Sequence, residues 1–143
     1  MAQATEMLQT NFLGPYLVTR TAAKMMMRRR FGRVVNISSV AVPLGSVGSG
    51  LYAAGKAATE QLAHSLAREL STNDITVNTL GVSIYGEAGM VEQMNPASLK
   101  KARTQLIKSG TLDIDEIVHA IDFFVSPLAA KVTSQTVYFG GIR

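Results

Sequence analysis

The side chains best suited to chemistry are a tyrosine and a lysine in the stretch YAAGK, Tyr52 to Lys56. Four residues apart on a helix, they share one face, with an ammonium beside a phenol. A nearby positive charge favours phenolate and lowers a pKa that is about 10 in an unperturbed tyrosine. Such a pair could act as general acid and base near neutral pH. The same spacing is common on helices that do no chemistry, so the pair gains meaning only from its surroundings. One of these is the serine pair Ser38-Ser39 ending the run NISS, thirteen residues before Tyr52. Strand carboxyl ends are where open α/β sheets place ligands.

Other chemistries are poorly served. The chain has no cysteine, which excludes disulfides, thiolate metal sites and cysteine nucleophiles and suits a reducing, cytoplasmic setting. His64 and His119 have no partners at ligand spacing, so they read as packing or surface residues and no metal is expected. Gly45, Gly48 and Gly50 follow a strand, but their order is G-x-x-G-x-G and the loop is long, unlike a phosphate-binding G-x-G-x-x-G turn. They read instead as a flexible stretch beside a substrate cleft. The net charge of +4 owes much to Lys24, Arg28, Arg29 and Arg30. These fall at the end of a helix, where cations complement the dipole, so no nucleic-acid surface is expected. Met25, Met26 and Met27 read as adaptable packing.

The elements that must position Tyr52 and Lys56 follow from periodicity. With 143 residues, 47% of them hydrophobic and 17% charged, the chain suits one folded domain spanning 1–143. No apolar run approaches the roughly 18 residues of a membrane span, and the N-terminus has no signal-peptide pattern. Apolar spacing predicts a long helix from Glu6 to Arg30, closed at Gly32. RVVNI (Arg33 to Ile37), ITVNTL (Ile75 to Leu80) and QTVYF (Gln135 to Phe139) predict buried strands. Between the first two lies a helix from about Leu51 to Leu70. Asn95-Pro96 opens a short helix closed by Gly110, and Asp113 with Glu116 forms a capping box before another that ends ahead of Pro127. Strands alternating with helices imply an α/β fold, parallel pairing and right-handed crossovers. About three strands flanked by helices make a partial, Rossmann-like doubly wound sheet.

The sequence resembles the short-chain dehydrogenase/reductase family, in its ketoacyl-reductase-like branch, through QTNFLGPYLVTRTA, GRVVNISS, YAAGKAA, LARELSTNDITVN and the late Gly-Gly pair. The resemblance implies a catalytic tetrad of Asn11, Ser39, Tyr52 and Lys56 and a nicotinamide-dependent carbonyl reduction or alcohol oxidation. Tyr52 would exchange a proton with the substrate oxygen and Ser39 would polarise that oxygen. Lys56 would tune Tyr52 and hold the nicotinamide ribose of NAD or NADP, and Asn11 would hold a relay water. Tyr52, Lys56, Gly81, Val82 and Ser83 would border the cofactor. A homo-oligomer through the first and second helices is also implied, covering apolar surface that includes Leu62, Leu66 and Leu70 on the second, with a small carbonyl or alcohol as substrate.

Several positions depart from the family pattern. Its glycine-rich cofactor turn belongs ahead of Asn11, so the chain corresponds to the family's C-terminal, catalytic and oligomerising half. Gly81, Val82 and Ser83 stand where Pro-Gly is usual, Glu87 where threonine often contacts the cofactor, Ser134 where glycine is common, and Phe139 where an acidic residue precedes Gly-Gly. The expectation is therefore an oxidoreductase that needs its cofactor half supplied and that binds NAD or NADP poorly alone. The alternative is a truncated, inactive protein acting as an oligomeric scaffold.

Overall fold

The structure is a computed structural model that describes residues 1–86 and 96–142. The expected cap at Asn95 and the departure at Glu87 lie outside the described residues. Three strands form one sheet in the order β1-β2-β3, all parallel, as anticipated. β1 covers Phe31–Ser39, β2 Asp74–Val82 and β3 Thr136–Tyr138. The apolar runs thus mark the strand centres, and pairing extends β1 and β2 beyond them while β3 is shorter than expected.

The first helix differs from a single uninterrupted rod. Helix α1, Ala2–Leu8, passes through a π-helical turn at Gln9–Leu13 into α2, Gly14–Arg29. A π turn widens the helix by one residue and is often found at functional sites. Arg30, rather than a glycine, adopts the left-handed conformation that ends α2, with φ of 55°. After β1 comes a short helix, α3 (Ala41–Leu44), that periodicity did not reveal. Helix α4 spans Gly50–Glu69, α5 Pro96–Gln105 and α6 Ile114–Val125. The capping box of α6 is present in full: Asp113 accepts from the Asp115 amide, and Glu116 accepts from the Asp113 amide.

Helices α2 and α4 cover one face of the sheet and α6 packs on the other. The core of the first face joins Ala23 of α2 and Ala63, Ala67 and Leu70 at α4 to Ile75 and Val77 of β2. Small alanines let the two helices approach the sheet closely, and Met26, Val34 and Leu66 fill the margins. This corrects one expectation. Leu66 and Leu70, assigned to an outer apolar surface of the second long helix, face the sheet, where Leu70 is buried.

Candidate active site

The site is built at the carboxyl ends of β1 and β2, where α4 begins. Ser39 is the last residue of β1, and its Oγ accepts from the Ala41 amide at 3.1 Å. That bond orients the oxygen and leaves the hydroxyl hydrogen to donate elsewhere. The turn after β1 is fastened to its neighbour by the Val40 amide, which donates to the Val82 carbonyl at 3.1 Å.

Tyr52 lies in the first turn of α4, half-buried, and Lys56 lies one turn later on the same face. Lys56 Nζ donates to the Ile37 carbonyl at 3.0 Å and stands 5.9 Å from the centre of the Tyr52 ring. Partial burial lowers the Lys56 pKa from its ordinary value. Two of its three N–H donors are left beyond the Ile37 bond, enough for a diol such as a ribose.

Asn11 sits in the π turn and presses against α4 at Gly55. A Cβ added to Gly55 would lie 3.2 Å from Asn11 Cβ and 3.7 Å from Leu8 Cδ2, so glycine is what permits the approach. The Asn11 carbonyl accepts from buried Thr59 Oγ1 at 2.8 Å, and its Nδ2 donates to the Met7 carbonyl at 3.1 Å. The four residues come from three elements: Asn11 from the π turn packed on α4, Ser39 from the end of β1, and Tyr52 and Lys56 from α4, which Lys56 ties to β1 at Ile37.

The three weaker cofactor candidates divide. Gly81 ends up beneath the Tyr138 ring, Val82 closes β2, and Ser83 follows half-buried just past the strand end. Gly45 and Gly48 have positive φ and open space around their α-carbons. His64 has a packing partner, its Nδ1 lying 2.7 Å from Ser134 Oγ, and Ser134 itself is left-handed with φ of 62°. That conformation explains why glycine would suit position 134. No group of three or more metal-ligating side chains occurs among the described residues.

Sequence reasoning missed Glu60, whose carboxylate accepts from Ser38 Oγ and from Tyr138 Oη. Its only signal was its place four residues after Lys56 on the same helical face.

A family model for short chain dehydrogenases matches residues 1–99. The chain belongs to the short-chain dehydrogenase family. Among curated relatives of this chain, the 3-oxoacyl-(acyl-carrier-protein) reductase FabG of Vibrio cholerae is 30% identical over 137 residues, 96% of this chain and 56% of its own length. Nodulation protein G of Rhizobium meliloti is 33% identical over 138 residues, 94% of this chain and 54% of its own. A solved structure described as a dehalogenation enzyme superposes with a TM-score of 0.86 at 27% identity, covering 99% of this chain and 59% of that one. The chain therefore spans a little over half the length of the relatives it matches, and its partial Rossmann-like sheet agrees with that solved structure. No described helix is long and apolar enough to cross a membrane.

Proposed function

We propose that this chain carries the proton-handling half of a nicotinamide-dependent carbonyl reductase or alcohol dehydrogenase. The observation that carries the reading is the placement of Lys56 on the Ile37 carbonyl, beside Tyr52 and two residues before Ser39 in β1. Tyr52 is the general acid that gives its phenolic proton to a carbonyl oxygen and takes it back in the reverse direction. Ser39 donates its free hydroxyl hydrogen to the same oxygen, stabilising charge as it develops there. Lys56 keeps an ammonium near the phenol and offers its remaining donors to a ribose. Asn11 holds a water through its carboxamide oxygen and so connects the lysine to solvent.

The residues present fit the nicotinamide and ribose end of NAD or NADP: a half-buried ammonium with spare donors, and Val82 and Ser83 at the adjoining strand end. When bound, the cofactor supplies or accepts the hydride. The reductase named among the relatives acts on 3-oxoacyl chains, which makes a 3-oxoacyl thioester a fitting first substrate.

The test is consumption of NADPH or NADH with a 3-oxoacyl thioester or a small ketone, by the chain alone and with a complementing cofactor half. Tyr52→Phe should reduce turnover by about a thousandfold with the fold unchanged, since only the transferable proton is lost. Ser39→Ala should cost about a hundredfold. Turnover in Tyr52→Phe close to that of the unmodified protein would exclude the mechanism.

The same reading includes a homo-oligomer through the first and second helices. Leu13 at the π turn, Leu17, Val18 and Met25 on α2, and Leu51 on α4 are all exposed apolar side chains that a second copy would cover. Light scattering after size exclusion should give a dimer or larger species, and Leu17→Glu should weaken it. A stable species of 15.3 kDa at high concentration would refute the assembly.

A further inference from the structure

The carboxylate of Glu60 joins three elements at the floor of this site. Ser38, Gly81 and Tyr138 occupy one row across the sheet, paired in register from β1 through β2 to β3. The middle position has no side chain, and the Tyr138 ring fills the space: a Cβ on Gly81 would fall 2.1 Å from Tyr138 Cδ1. The phenol therefore lies across β2 and delivers its hydroxyl to α4, where Tyr138 Oη donates to Glu60 Oε2 at 2.6 Å. The other carboxylate oxygen accepts from Ser38 Oγ, on a residue only 2% exposed. Burial and the neighbouring carboxylate push the Tyr138 pKa well above its ordinary value, so this phenol stays a donor.

Glu60 follows Lys56 by one helical turn. Lys56 holds the carbonyl of Ile37 and Glu60 holds the hydroxyl of Ser38, consecutive residues that lead directly into Ser39. Two attachments a turn apart set both the height and the tilt of α4 on the strand end. A helix transmits that setting as a rigid body, about 6 Å to Lys56 and about 12 Å to Tyr52 along its axis. We propose that Glu60 is a positioning residue: bridging Ser38 and Tyr138, it sets where α4 presents Lys56 and Tyr52 relative to Ser39. The catalytic part of this statement rests on the reductase reading, while the placement of Lys56 does not.

Lysine-selective carbon NMR on the full chain reads that placement without substrate. In the unmodified protein Lys56 titrates below its ordinary 10.5. In Glu60→Ala its titration should rise toward 10.5 while the other lysines stay put, because a loosened α4 lets the ammonium regain water. Loss of the carboxylate's charge by itself works in the opposite direction, since a nearby anion favours ammonium, so a rise reports position. Glu60→Gln, able to accept from one hydroxyl and donate to the other, should restore the low value. An unchanged or lower Lys56 titration in Glu60→Ala, or equal behaviour of the Ala and Gln variants, overturns the proposal. If Glu60→Ala fails to fold, Tyr138→Phe decides, because it keeps the ring over Gly81 and removes one bond. A smaller rise supports the proposal and no rise refutes it.

Turnover is the second readout. Glu60→Ala should lower kcat by about tenfold to a hundredfold with KM changed less than about threefold, and Glu60→Gln should recover most of it. A moved Lys56 in a protein with no reductase activity defeats the functional reading alone. A fixed Lys56 in an enzyme silenced by Tyr52→Phe defeats the Glu60 proposal alone.

Discussion

β1 and β2 lie side by side in register over nine residues each, with similar apolar, β-branched sequences, yet the protein uses them differently. β2 is central, and Ile75 to Gly81 are all buried. β1 has a partner on one side only among the described residues, and it exposes Phe31 and Ile37. The polar residues sharpen the contrast. In β2 the buried Asn78 donates to the Val132 carbonyl at 2.8 Å and accepts from the Gln135 amide at 3.1 Å, so its amide steers the chain into β3. In β1 Ser38 donates to Glu60 of α4, and Ser39, the next residue, accepts from the Ala41 amide just past the strand end. A central strand stabilises, while the end of its neighbour carries the groups proposed for chemistry.

The comparison can be broken by substitution. The largest effect should come from Leu80→Ala, which empties a fully buried position in β2 and should cost about 4 kcal/mol in urea unfolding. Ile37→Ala, one strand over in the same register, should cost less than about 1 kcal/mol because it is already 43% exposed. Equal losses would erase the distinction between the strands.

Next in size is Asn78→Ala, which strands the Val132 carbonyl and the Gln135 amide and should cost about 2–3 kcal/mol. Asn36→Ala in β1 should cost less, since the Asn36 Nδ2 has no partner to lose. Thermal unfolding of both variants measures the difference.

A smaller effect, about 1 kcal/mol, is expected for Asp74→Ala at the start of β2. Asp74 pairs with Arg33 of β1 at 2.9 Å, but the guanidinium keeps its bonds to the Gly32 and Asp74 carbonyls. A loss as large as that of Asn78→Ala would show that the ion pair, rather than the central strand, ties the two together.

The smallest effect appears only in alkali. Tyr138 holds its proton more tightly folded than unfolded, so the folded state binds more protons once pH passes the ordinary tyrosine value of about 10. Its contribution is complete below that pH and is lost as pH rises toward its folded value. Tyr138→Phe should therefore show a shallower loss of stability above pH 10 than the unmodified protein. Parallel curves would mean that the phenol does not stay protonated against Glu60.

Much of the molecule is legible in its residues. The β-branched runs mark β1 and β2, Asp113 and Glu116 mark the start of α6, and the four-residue spacing from Tyr52 to Lys56 puts both on one face. The π turn at Gln9–Leu13 was not legible, because hydrophobic spacing tolerates one extra residue without changing the face that is buried. The outward placement of Leu66 and Leu70 was wrong for a related reason. Helical periodicity identifies an apolar stripe but not what covers it.

Glu60 shows where local sequence stops. The sequence alone determined an α/β chain with a tyrosine, lysine and serine in family spacing, because periodicity and short motifs depend on neighbours along the chain. Only the tertiary structure decided which strand is central, how closely Asn11 approaches α4 at Gly55, and that a glycine in β2 lets Tyr138 reach Glu60. Those outcomes depend on residues from different elements sharing the same space, and the bond between Glu60 and Tyr138 spans 78 positions of chain.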